Sequence, residues 1–371
     1  MQKSAIARLV VSWITVLFFF VFLKGMLEDL SSPVTLTCLF LWLFGVIMWS
    51  AFGVVHEAEE VAIMLGEPRG TLVLTLSIVI IEVALVAAVM LGSKEAPTLG
   101  RDTMFAVLMI VLNGVVGLGL FIGGFKHQEQ SYNLQGAASY LAVLIPLTSV
   151  ALILPNFTTS SVAGTLTPFQ SIAFSIFTVG LYGVFLLTQT GRHRAFYVHI
   201  SEAEAKIGIP VAPVIPPPTP KGTVLMHVIL LLANILPIVL LSKGLAKILD
   251  HGITALQLPA ALGGVVIAAI VFAPEGISAL KAVARNDLQR AINLCLGAAT
   301  STVGLTVPVV LAIGIFTGQT VILGLKSTEM TLLGITLLLS TLTFSNRRTT
   351  LLEGAVHLVV FFVYIVLVFN P

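Results

Sequence analysis

Apolar residues fill this chain in long, nearly unbroken runs, and the polar residues collect in short gaps between them. No run alternates with the period of a strand, so the pattern predicts helices. A bilayer core needs about 20 apolar residues per crossing. Eleven stretches meet that length, roughly 9–27, 35–56, 69–92, 103–124, 137–155, 169–190, 223–243, 257–281, 288–314, 328–345 and 350–369. The fold class expected is therefore an all-α polytopic membrane protein of about eleven transmembrane helices.

The longest polar connection runs from Gly191 to Gly222 and contains "SEAEAK" and "IPVAPVIPPPTPKG". Its prolines exclude a helix and predict an extended linker. An odd number of crossings puts the termini on opposite sides. If the N-terminus is cytoplasmic, that side collects Lys3, Arg8, Arg69, Lys126, Arg192, Arg194, Lys206, Lys221, Lys281, Arg285, Arg290, Arg347 and Arg348. The other side holds only Lys24, Lys94, Arg101, Lys243, Lys247 and Lys326. The excess of positive charge belongs inside, so the linker is expected in the cytoplasm and the C-terminus outside. The basic start and first apolar run lack a small-residue cleavage site and are read as a retained helix rather than a removed signal peptide.

With the first span set aside (1–34), five spans precede the linker (35–190) and five follow it (223–371), with 191–222 between. A unit of five crossings copied in tandem must insert upside down, a common build for secondary transporters. The halves share features at matching places. The second helix of the first carries Glu82 in "GTLVLTLSIVIIEVALVAAVML", and the second helix of the other carries Glu275 in "VVIAAIVFAPEGISAL". Each is followed by a short charged turn and a third helix rich in small residues, "LNGVVGLGLFIGG" and "LGAATSTVGLTVP". A charge at mid-membrane costs about 2.5–3.5 kcal/mol on insertion scales and marks function by default. Two such carboxylates facing each other need protons or a cation between them.

Oxygens for such a cation are available nearby. Pro274 removes a helical hydrogen bond and is expected to push Ala273 out of helical geometry, freeing carbonyls beside Glu275. Ser301, Thr300 and Thr302 offer hydroxyls, Asn113 an amide oxygen, and Ser77 a hydroxyl five residues before Glu82. Hard cations such as calcium take six to eight oxygens. Gly114, Gly117, Gly119, Gly297 and Gly304 are expected to admit a neighbouring backbone. Glu353 is read as interfacial, and His357, His227 and Asn234 as packing residues with satisfied hydrogen bonds.

Composition narrows the function further. The chain is 57% hydrophobic and 10% charged with a net charge of +2, which leaves no basic surface for nucleic acid. Cys38 and Cys295 both lie in apolar runs, so no disulfide or metal cluster is expected. "HEAEE" (His56 to Glu60) opens like a zinc-protease motif, but Glu60 stands where the second histidine must be. The cluster Glu57, Glu59, Glu60 and Glu67 is read instead as a solvated face. There is no nucleophile elbow, phosphate loop or His/Asp/Ser set, so neither an enzyme nor an ATP-driven pump is expected, and no cofactor.

These residues resemble the cation/calcium exchanger superfamily, above all its bacterial calcium (sodium, potassium)/proton antiporters of the ChaA type. "GEPRGTLVLTLSIVIIEVALVAAVM" looks like the first alpha-repeat and "APEGISALKAVARNDLQRAINLCLGAATSTVGLTVPVV" like the second. "FKHQEQSYNL" and "NRRTTLLEG" are similar to connecting pieces of the family. The resemblance implies two inverted five-helix repeats with a cation site between them. The family's two essential acids fall on Glu82 and Glu275. A hydrogen-bonding residue on the following helix falls near Ser301, and in the first half between Asn113 and the Gly117–Leu118 region. One feature departs: where many calcium/proton exchangers carry Gly-Asn, this chain has Ile78–Val79 and Val271–Phe272. A site with fewer fixed oxygens is expected to admit sodium or potassium as well as calcium. The implied activity is antiport of a cation against protons, and the implied location is a bacterial cytoplasmic (inner) membrane. The alternatives are a sodium/calcium exchanger of the same superfamily and a cation channel, the latter lacking any filter-like segment.

Overall fold

The computed structural model describes residues 3–23, 32–66, 69–92, 97–191, 193–198 and 221–370. Most of the proline-rich linker and Glu67 lie outside the described residues. Eleven helical rods account for nearly all of the rest. They are α1 (Lys3–Phe18), α2 (Pro33–Leu65), α3 (Arg69–Gly92), α4 (Leu99–His127), α5 (Leu134–Asn156) and α6 (Pro168–Thr190), then α7 (Lys221–Ala255), α8 (Ala261–Ala284), α9 (Leu288–Thr317), α10 (Ser327–Thr343) and α11 (Leu351–Phe369). Nine of the described helices are long and apolar enough to cross a membrane. Of the other two, α3 is apolar over Thr75–Leu91 and α10 has 17 residues. Large apolar side chains such as Phe169, Ile176 and Leu187 of α6 and Val359, Phe362 and Val366 of α11 point outward. Apolar side chains turned out from the bundle are what lipid accommodates. The protein is a multi-pass integral membrane protein.

Two helices overrun the expected spans. The apolar stretch 35–56 extends to Leu65 in α2, and 223–243 extends to Ala255 in α7, giving 33 and 35 residues. These long helices pack along each other, and α1 lies against both. Their contact draws polar residues inward. Glu57 is buried and accepts from Arg8 of α1 (3.5 Å), while its other oxygen lies 2.7 Å from Nδ1 of His227 in α7. Arg8 Nε also donates to Asn234 Oδ1 at 3.1 Å. Gly53 leaves the room for this, since any Cβ there would overlap the Arg8 guanidinium. The solvated face expected for this cluster is thus wrong for Glu57. Glu59 is partly exposed and pairs with Arg290 at 3.2 Å. Arg8, expected among the loop charges, is inside the bundle.

The ends of the helices gather into two layers. On the linker side, Gln130–Ser131 pairs antiparallel with Arg348–Thr349, joining the two segments "FKHQEQSYNL" and "NRRTTLLEG". There too, Asn133 N–H donates to Gln289 Oε1 (2.6 Å) and Asn293 Nδ2 to the Tyr197 carbonyl (2.7 Å). On the opposite side, Arg101 bridges Asp102 and the Gly324 carbonyl.

Two helices are irregular at matching places. In α4 the segment Ile110–Val115 is a π-turn, and in α9 so is Thr302–Thr306. A π-turn inserts one residue into the spiral and re-aims the side chains around it, often at functional sites. By contrast, α8 runs as an unbroken α-helix from Ala261 to Ala284 through Pro274. The unwinding expected at Ala273 does not occur. Proline costs the Ile270 carbonyl its helical donor, but the buried surroundings of Ala268, Ile270, Phe272 and Pro274 hold the backbone in register.

The small-residue helices pack as expected only in part. A Cβ on Gly117 would come within 3.0 Å of the Leu358 nitrogen, so this glycine does admit a neighbouring backbone. Gly114 and Gly304 face the rings of Phe361 and Tyr182 instead, and Gly119 and Gly297 have ordinary contact distances.

Candidate cation site

Glu82 lies near the middle of α3 and Glu275 near the middle of α8, each a helix of 24 residues. Both side chains are buried, at 3% and 6% exposure, and Glu275 lines a cavity with Thr75 and Val79, which precede Glu82 on α3. Among the described residues, no Lys, Arg or His pairs with either. The pair therefore carries up to two negative charges in a low-dielectric setting with no built-in counter-ion.

The oxygens around it come mostly from the α9 π-turn. Thr306 Oγ1 donates to Glu82 Oε1 at 3.2 Å, and Thr302, one turn earlier, lies beside the same carboxylate. Because the π-turn spans Thr302–Thr306, it delivers both hydroxyls to one face, towards α3. Ser301 lines a small cavity with Glu275. That cavity, of about 50 Å³, continues past Tyr182 and Phe185 of α6 to Gln189 and Asn293 at the linker-side layer. The opposite side has a larger cavity, about 360 Å³, between Thr98, Asp102, Lys326 and Glu329, whose walls include neither glutamate.

The other expected ligands are placed differently. Thr300 Oγ1 donates to the Leu296 carbonyl (2.7 Å) and Ser77 Oγ to the Val73 carbonyl (2.6 Å), the usual bonding of hydroxyls within their own helix. Asn113 sits in the α4 π-turn, but its amide is committed elsewhere. Its Oδ1 lies 3.1 Å from Nδ1 of His357, and its Nδ2 donates to Thr336 Oγ1 at 2.8 Å. His357 Nε2 is 3.0 Å from Thr343 Oγ1, so the histidine is a satisfied packing residue, as is Asn234. His227, half-buried, is the partner of Glu57. Glu353 closes the α11 capping box with Thr350, at the helix start. No group of three or more His, Cys, Asp or Glu side chains poised for a metal exists among the described residues. Cys38 is exposed and Cys295 buried, and neither is bonded to the other.

Two residues of the site escaped the sequence. Thr306 was one hydroxyl in a run of several, and its spacing of four from Thr302 was the only signal. Tyr182 had none, since α6 reads as a lipid-facing span throughout.

The sequence pattern of the sodium/calcium exchanger protein family matches residues 35–191 and 226–370. The chain belongs to this family. Each family segment includes one of the buried glutamates and one of the matching π-turns of α4 and α9; the first helix and most of the linker fall outside them. Among its relatives, the chain is 37% identical to the sodium-potassium/proton antiporter ChaA of Escherichia coli over 354 residues, 94% of this chain and 92% of that one. Its fold matches that of YfkE with a TM-score of 0.72 at 18% identity, covering 98% of this chain and all of the other. It also matches the H+/Ca2+ exchanger CAX with a TM-score of 0.67 at 16% identity, covering 98% and 89%.

Proposed function

We propose that this protein is a secondary antiporter that moves calcium, with sodium and potassium as further cargo, out of the cytoplasm in exchange for external protons. The observation that carries the reading is the burial of one glutamate from each half, Glu82 bonded by Thr306 and Glu275 lining a cavity with Val79 and Ser301, neither with a basic partner among the described residues. Two protons, one divalent ion or two monovalent ions neutralise the pair equally. Proton and cation compete for the same oxygens, and the empty, doubly charged state is the costly one. That cost discourages the site from changing sides without cargo.

The halves 35–190 and 223–371 act as inverted repeats about this pair, each giving one glutamate and, at the matching place, a π-turn in α4 or α9. Rocking of helices around a fixed midplane site gives alternating access. The cavity from Glu275 to Gln189 and Asn293 supports a form open towards the linker side. With the positive excess inside, that side is the cytoplasm. Support for the cargo comes from the similar proteins, a sodium-potassium/proton antiporter in one case and an H+/Ca2+ exchanger in another.

Inside-out membrane vesicles with an imposed acid interior test the proposal. Adding calcium, sodium or potassium outside must release the stored protons, read with a pH-sensitive dye. No proton release with any of the three cations refutes antiport, and cation flux indifferent to the proton gradient points to a channel.

A further inference from the structure

We propose that Tyr182 of α6 is a ligand-bearing, specificity-determining residue of the cation site, standing where the linker-side cavity reaches Glu275. The proposal rests on the antiport reading and adds a residue that the two acids alone do not supply.

The position is set by packing. Tyr182 is 2% exposed, and its ring lies on the α9 π-turn, where a Cβ on Gly304 would come within 3.0 Å of it. Its side chain lines the same cavity as Ser301 and Glu275. Along α6, Tyr182, Phe185 and Gln189 fall at spacings of three and four, so they form one stripe down the same helix face. That stripe walls the cavity, with Asn293 and Ser301 of α9 opposite. Polar atoms therefore mark the route at each level. Gln189 and Asn293 stand at the mouth, Tyr182 and Ser301 at the neck, and Glu275 at the end. A phenol is both donor and acceptor. It donates to a carboxylate when the site is empty and turns its oxygen to a cation when the site is filled.

The sequence gives this oxygen a reason. Ile78–Val79 and Val271–Phe272 present no amide oxygens beside the glutamates. Tyr182 and Ser301 line the cavity at Glu275, with Ser301 Oγ also donating to the Ala298 carbonyl at 3.0 Å, and Thr306 Oγ1 bonds Glu82. Neutral hydroxyl oxygens are weaker partners for a divalent ion than a full set of charged and carbonyl oxygens. Calcium, which takes the most ligands, is the cargo most sensitive to losing one.

The test is Tyr182→Phe, which keeps the ring against Gly304 and removes only the oxygen. In inside-out vesicles, the apparent KM for calcium is expected to rise roughly tenfold, with the maximal rate little changed. The KM for sodium and potassium is expected to rise less, shifting preference towards the monovalent ions. An unchanged thermal midpoint in detergent separates this from a packing defect. Identical KM values for all three cations in Tyr182→Phe, or a loss of rate at constant KM, overturn the assignment while leaving antiport standing. Wild-type vesicles that exchange no cation for protons bring down both.

Discussion

Thr306 and Glu82 come from opposite halves of the chain, yet the threonine hydroxyl donates to the glutamate carboxylate at 3.2 Å. The bond crosses the centre of the bundle, from the α9 π-turn to α3. It ties the carboxylate of one half to the backbone irregularity of the other. Replacing Thr306 with Val keeps the shape and deletes the donor. A lost hydrogen bond to a charged group of about 1.5 kcal/mol is roughly a tenfold change in affinity. The cation KM of Thr306→Val is therefore expected to rise by about that factor at unaltered expression. A KM equal to wild type means that Thr306 does not act on Glu82.

Glu82→Gln and Glu275→Gln each remove one of the two charges that a cation must neutralise. Each is expected to abolish cation-dependent proton release in vesicles. The protein should still elute as a folded species on size-exclusion chromatography, because glutamine keeps the volume and polarity. Exchange at the wild-type rate in either variant takes that glutamate out of the mechanism.

Competition between protons and cations fixes the sign of the pH response. Protons on the loading side occupy the carboxylates and exclude the ion, so the apparent KM for the cation falls as the pH there rises. Initial rates of calcium uptake by vesicles, measured over a series of external pH values, give the slope directly. A KM indifferent to pH contradicts a shared site.

The buried group of Arg8, Glu57, His227 and Asn234 joins α1 to the two longest helices. Glu57→Ala leaves the Arg8 guanidinium inside the bundle without its carboxylate. Breaking a buried pair from one side costs about 3–5 kcal/mol. The thermal midpoint in detergent should drop clearly, and double replacement with Arg8→Leu should recover part of the loss. A midpoint equal to wild type in Glu57→Ala disproves the pairing.

Much of this protein was legible without coordinates because a bilayer leaves few choices. Long apolar runs must be helices, since lipid satisfies no backbone hydrogen bond. Glu82 and Glu275 stood out because a carboxylate in such a run is costly. Their matching positions in two sets of five spans pointed to a shared place. The polar residues at helix ends were harder. "HEAEE" looks like a solvated cap when α2 is ended at its last apolar residue, but α2 continues along α7 and carries Glu57 inside.

What the sequence by itself determined is the number of helices and the two acids at their centre, because the cost of polarity in lipid is paid residue by residue and shows in composition. Only the tertiary structure decided which oxygens face those acids. Thr306 and Tyr182 are brought there by a π-turn and by helix packing, while Asn113 is drawn away to His357. Rotation of a helix about its axis depends on its neighbours, and no local pattern of residues records it.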